Sequence, residues 1–292
     1  GDSIRIGIIG AGKVGVTLGK YLSEAHIPVT GFYSRTKESA AWAAAFTKTA
    51  VFDGLKELIT ASDTLFITTP DGVIADVWDC IAAMDMDLSG YKICHFSGSL
   101  SSNVFSGIER TKACGCSIHP MYAFSDKETS WLQFQKAYLT MEGSEKAVAV
   151  MRSLFEGLGH TVYGLDSADK VKYNAAAVLA SNAVVGLFYS AQQLLSECGF
   201  AEEESRKLLA PLITENVSSI VKNGCAKALT GPVERADVQT VKNHLAALQG
   251  SDEEAVYRSI SKKLTALAKC RNPQRDYTAL ERIMDEKYST DL

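Results

Sequence analysis

Gly10, Gly12 and Gly15 stand at G-x-G-x-x-G spacing between a β-branched run at residues 4–9 and an apolar run of helical period that includes Val16, Leu18 and Leu22. Strand, glycine turn and helix in that order can receive a dinucleotide pyrophosphate. Gly10 permits the tight turn, Gly12 lets the backbone approach the phosphates, and Gly15 lets the helix close on the strand; the free N–H groups of the first helical turn, from Lys13 and Val14 onward, face the negative charge. At the end of the next strand, residues 28–33, an NAD site would place an acid for the ribose 2′-hydroxyl. This chain has Ser34, Arg35 and Thr36 there. A guanidinium flanked by two hydroxyls suits a 2′-phosphate, so the expected cofactor is NADP(H). Thr69, Pro70 and Ser97 follow two later strands and are expected to wall the nicotinamide end, with Asp71 capping the helix that follows.

Proton chemistry has two candidate sources. Lys170 and Asn174 are four residues apart, on one face of a helix, where they can share a substrate; a desolvated amine beside a carbonyl or alcohol oxygen acts as general acid or base. His119 follows a strand and precedes the stiff Pro120, and an imidazole held there can move a proton near neutral pH. Further along, Arg235, Asp237, Thr240 and His244 make a polar stripe beside Val238, Val241, Leu245 and Leu248 on the helix opening at Pro232. The stripe is expected to line a ligand or dimer cleft, with Arg235 the natural partner of a substrate carboxylate.

These residues need rigid elements behind them. Short β-branched or aromatic runs at 4–9, 28–33, 64–68, 91–96, 116–119, 137–141 and 161–163 alternate with helical segments, the pattern of a doubly wound, parallel α/β sheet. Seventeen of the 22 glycines lie at or before Gly164. Beyond it only helical periodicity remains, at 168–197, 202–222, 233–248, 252–268 and 275–288. The expected organisation is a cofactor domain at 1–164 and an all-helical substrate and dimerisation domain at 165–292, with the reaction in the cleft between them.

Thirty basic and 34 acidic side chains give a net charge of −4, with no block of like charge to follow a nucleic-acid backbone or an anionic bilayer. Seven scattered cysteines, an odd number, read as reduced packing thiols of a cytoplasmic protein, and no metal site is expected. Residues 175–195 come nearest to a membrane span, but Ser181, Asn182, Ser190, Gln192 and Gln193 interrupt them, which favours a buried helix.

With these residues in view, the chain resembles the Rossmann-fold NADP-dependent oxidoreductases of the 6-phosphogluconate dehydrogenase-like group, distantly similar to pyrroline-5-carboxylate reductase and prephenate dehydrogenase. Within the group it is similar to a bacterial family whose helical half is a domain of unknown function. The resemblance rests on Thr69-Pro70-Asp71, His95-Phe96-Ser97-Gly98, Ser117-Ile118-His119-Pro120, the stretch from Lys170 to Asn182, and Ala228 to Asp237 followed by Thr240 and His244. It implies a nicotinamide-linked enzyme, a homodimer, a substrate contact at Asn182, and proton transfer by the Lys170/Asn174 pair. Two positions depart from the family pattern: Asn174 stands where histidine is usual, and Ala236 where glycine is. The expected activity is hydride transfer to or from a small carbonyl, imine or alcohol; the alternative is a silent NADP-binding regulator.

Overall fold

The computed structural model describes residues 4–285. Its strands are β1 Ile6–Ile9, β2 Val29–Tyr33, β3 Ala50–Val51, β4 Thr64–Ile67, β5 Lys92–His95, β6 Cys114–Met121, β7 Tyr138–Gly143 and β8 Val162–Gly164. They form one sheet in the order β3-β2-β1-β4-β5-β6-β7-β8. Between and after them come the helices α1 Lys13–Glu24, α2 Lys37–Thr47, α3 Leu55–Thr60, α4 Asp71–Ala82, α5 Ile108–Thr111, α6 Glu145–Gly157, α7 Lys170–Ala180, α8 Asn182–Glu197, α9 Glu202–Asn223, α10 Cys225–Ala228, α11 Val238–Leu248, α12 Asp252–Arg271 and α13 Thr278–Met284.

The central strands are buried on both faces, so they read as continuous apolar runs. Ile6 and Ile8 pack with Leu18 and Leu22 of α1, Ala43 of α2 and Phe155 of α6, while Ile9, Leu65 and Ile67 pack on the other face with Leu58 of α3 and Trp78 of α4. Strand order reverses at β1 and β4, and their carboxyl ends therefore part to leave a crevice.

The expected parallel sheet is corrected at one pair. β7 runs antiparallel to β6, with Ser117 opposite Glu142 and His119 opposite Thr140. Parallel strands need a long crossover; here the chain returns through a single 3₁₀ segment, Ser130–Lys136, so the strand comes back reversed.

The chain divides into two compact units between Ser181 and Asn182, rather than at 164/165. The helix expected over 168–197 is broken at Ser181, whose φ of −128° and ψ of −75° are not helical, and its first part belongs with the sheet. Lys170 is what ties it there, as shown below. In the second unit, α11 begins at Val238 and not at 233, because Ala236 adopts a left-handed φ of 55° that a helix cannot contain. Leu229, Val241, Leu245, Tyr277 and Leu280 form that unit's core. Of the terminal helix expected over 275–288, residues 286–288 lie outside the described residues, and Thr278–Met284 is helical.

Burial of residues 175–195 is not found in the single chain: α8 has no buried residue, and Val185 is 70% exposed. Its neighbour α9 leaves Leu212 at 69% and Val221 at 82%. Ser167–Glu197 is long and apolar enough to cross a membrane by length and composition alone. The packing role expected of the cysteines holds for the buried Cys94 and Cys116, whereas Cys80, Cys225 and Cys270 are exposed on their helices and Cys198 is exposed in the turn after α8.

Candidate functional site

The crevice at the ends of β1 and β4 is a groove of about 830 Å³, lined by Gly10–Val14, Ser34, Arg35, Ser39 and Thr68–Asp71 among others. Gly10 turns the chain with φ +104°. Gly12 is the N-cap of α1 and supplies no side-chain cap; a Cβ built on it would enter open space. The first turn of α1 holds no acid, so its N–H groups offer an uncompensated positive end to the groove. Gly15 faces the other way: a Cβ there would overlap the Gly10 carbonyl and come 2.5 Å from Thr68 Oγ1, so it packs the helix on the strand.

Arg35 is exposed at the groove and makes no ion pair among the described residues. Ser34 Oγ accepts a bond from the Thr36 amide at 3.3 Å, and Thr36 itself lies outside the lining. Thr69 Oγ1 is buried and has no hydrogen-bond partner among the described residues. An anion-ready helix start, a glycine opening, a free arginine at the ribose position and an unpaired buried hydroxyl fit a phosphorylated dinucleotide along this groove.

Asp71 is the first residue of α4 and does not cap it, since Pro70 occupies the N-cap position. Its Oδ2 instead accepts from Ser99 Oγ at 3.0 Å, which joins the groove to the loop after β5. Ser97, expected beside the cofactor, is turned into this loop. Its Oγ accepts from the amides of Ser99 and Leu100 at 3.1 and 3.0 Å, and its carbonyl accepts from Lys170 Nζ at 2.8 Å.

Lys170, the first residue of α7, is only 2% exposed and also donates to Ser117 Oγ at 3.2 Å. Burial lowers its pKa to about 8, opposed by the charges of Glu142 and Asp71. His119 is held with Nδ1 2.7 Å from the Tyr173 hydroxyl, the rings meeting edge to face at 89°. Burial, and then the Lys170 charge, push its pKa down to about 4. The imidazole is therefore neutral at pH 7 and changes charge well below neutrality rather than near it. Burial raises the pKa of the Tyr173 hydroxyl, opposed by a hydrogen bond with Thr140, and either member of the Tyr173–Nδ1 pair can be the donor.

Asn174 meets His119 at Gly98: a Cβ on that glycine would stand 2.8 Å from His119 Nε2 and 2.9 Å from Asn174 Oδ1. The structure thus brings Lys170, Asn174 and His119 to one loop. Tyr173, Ser117 and Glu142 join them: Ser117 and Tyr173 stood in the motifs that carry the resemblance but had no role assigned, and Glu142 was not singled out in the sequence. Tyr173 carried a signal, since it falls one helical turn after Lys170; Glu142 carried none.

The polar stripe of the second unit is largely structural. Asp237 caps α11, accepting from the Thr240 amide at 3.1 Å and its hydroxyl at 2.7 Å. His244 pairs with the Tyr257 hydroxyl at 2.8 Å, and Arg235 is exposed. Asn182 is an exposed residue at the start of α8.

Two sequence families match, a Rossmann-like domain over residues 2–120 and the domain of unknown function DUF2520 over 137–264. The chain joins a Rossmann-like domain to DUF2520. Comparison with curated proteins found no match. Among solved structures, protein TM1727 of Thermotoga maritima is 24% identical with a TM-score of 0.72, over 91% of this chain and 99% of that one. An imine reductase from a Pseudomonas species is 17% identical with a TM-score of 0.61, over 94% of this chain and 100% of the other. A reductive aminase from Aspergillus terreus, in complex with NADPH and ethyl-5-oxohexanoate, is 17% identical with a TM-score of 0.65, over 96% and 98%. These likenesses establish a shared fold.

Proposed function

We propose that the protein is an NADP(H)-dependent oxidoreductase acting on a small imine, carbonyl or alcohol. The carrying observation is the Asp71–Ser99 hydrogen bond, which couples the dinucleotide-shaped groove to the loop that holds a buried lysine. Bound in the groove, a nicotinamide supplies or accepts a hydride. Gly12 and the start of α1 hold the pyrophosphate, Arg35 and Ser34 the 2′-phosphate, and Thr69 and Pro70 flank the nicotinamide ribose. Lys170 delivers the proton that balances the hydride in reduction and removes it in oxidation, while Asn174 and the neutral His119 hold the substrate heteroatom by hydrogen bonds. The named likenesses to an imine reductase and a reductive aminase favour a C=N substrate over an alcohol.

The test is loss of reduced-nicotinamide absorbance when cyclic imines, or ketones with amines, are added to the protein and NADPH. NADPH that binds while no member of either class is reduced would overturn the reading in favour of a silent binding protein.

The protein is proposed to work as a homodimer. Val185, Leu187 and Tyr189 on α8 and Leu212, Val217 and Val221 on α9 are 42–82% exposed, and a second copy of the chain supplies an apolar face of the same kind to cover them. Light scattering at micromolar concentration should give twice 31.5 kDa; a monomer alone refutes it.

A further inference from the structure

Glu142 is the buried charge that the proposed reaction does not use. It lies on β7 at 7% exposure, opposite Ser117 on β6. Its Oε1 accepts from Ser117 Oγ at 3.1 Å and from the Ser102 amide, and its Oε2 accepts from the Ser102 hydroxyl at 2.9 Å. An ionised carboxylate only accepts, so the single proton of the Ser117 hydroxyl is committed to Oε1. The oxygen then presents only lone pairs to Lys170 Nζ. The second acceptor of the amine, the Ser97 carbonyl, cannot donate either.

An ammonium group has three protons and a neutral amine two. With two fixed acceptors, the same two hydrogen bonds survive in both states, and the third proton is the one that comes and goes. We infer that Glu142 is the positioning residue of Lys170: by holding Ser117 as a pure acceptor, it fixes the two protons the amine keeps and so directs the one it exchanges. The inference rests on the proposed role of Lys170. No acceptor has to rotate when the proton leaves, which is the preorganisation that favours fast transfer.

The groups facing Nζ are Glu142 from β7 and Asp71 from α4, which favour the ammonium, and His119 of β6 and His95 of β5, both neutral near pH 7. Tyr173 lies on the lysine's own helix.

The test is an NMR titration of the lysine Cε and Nζ signals in the whole chain without cofactor, the Lys170 signal being identified by its loss in Lys170→Arg. Glu142→Gln keeps the shape and removes the charge. It should lower the Lys170 midpoint by about one pH unit. Ser117→Ala, which keeps the carboxylate and removes the hydroxyl between it and the amine, should lower it by a smaller amount, and decides alone if Glu142→Gln does not fold. Midpoints within about 0.2 of the parent overturn the inference. Turnover is read separately: if Lys170→Met abolishes it while these midpoints stay fixed, the reaction stands and the role of Glu142 falls. Shifted midpoints with full turnover in Lys170→Met give the reverse result.

Discussion

The groove and the lysine cluster lie in one unit, and they are built on opposite plans. The groove is made of backbone: Gly10, Gly12 and an uncapped helix start leave polar groups open to an incoming ligand. The cluster is made chiefly of side chains from β6, β7 and α7 that pair out of water, with three hydrogen bonds to Glu142 and two from Lys170, one of these to the Ser97 carbonyl. One region is unfinished until something binds, and the other is finished in advance. Binding and chemistry should therefore separate under mutation.

The largest effect is expected at the cluster. Lys170→Met should lower turnover by about 10²–10⁴ while leaving NADPH affinity near the parent value, since general acid catalysis contributes roughly that factor. His119→Gln should cost far less, because the neutral ring donates a hydrogen bond and no proton. The same contrast has a pH signature. Lys170 is protonated below about 8, so the reductive rate should fall as pH rises through that value and the oxidative rate should rise; a reductive profile flat between pH 7 and about 9.5 would refute the assignment.

Two glycines sharpen the comparison from the groove side. Gly15→Ala puts a Cβ into the Gly10 carbonyl, and should destabilise the free protein by about 1–3 kcal/mol, read as a lower melting temperature. Gly12→Ala meets nothing in the free protein, so its melting temperature should stay put while NADPH binding weakens by about tenfold or more, by titration calorimetry. If both variants lose stability equally, the groove is not preformed. Arg35→Ala should cost about 1.4 kcal/mol of NADPH binding and leave NADH binding unchanged, cancelling a preference of about tenfold.

The smallest effect is expected outside both regions. Ala236 has a left-handed φ of 55°, so Ala236→Gly should stabilise the protein by about 0.5–1 kcal/mol in urea unfolding.

The groove was legible in the sequence because its determinants are neighbours. Gly10, Gly12 and Gly15 act within six residues, and Arg35 is placed by the strand that precedes it. Lys170 and Asn174 were legible for the same reason, being one helical turn apart. The partners of Lys170 were not: Ser117 precedes it by 53 residues and Ser97 by 73, and only the sheet brings them together. The reversal of β7 was hidden because periodicity marks a strand without marking its direction. The break at Ser181 was hidden because the polar pair Ser181 and Asn182 reads as readily as the polar face of one long helix as it does as a helix end, and Asp237 was taken for a ligand residue because a helix start at Pro232 left no capping role for it to fill.

The antiparallel pairing of β6 with β7 has one more consequence, for how the chain finds its fold. Along this pair Ile118 faces Met141 and Pro120 faces Leu139 on the apolar side, while Ser117 faces Glu142 and His119 faces Thr140 on the polar side. Sliding β7 by one residue would turn its side chains through the sheet and strand the Glu142 carboxylate among Cys116, Ile118 and Phe155, at a cost of several kcal/mol. The residues that direct the lysine therefore also reject the neighbouring strand alignment, and variants of Glu142 should be watched for mispaired, aggregation-prone chains as well as for lost chemistry.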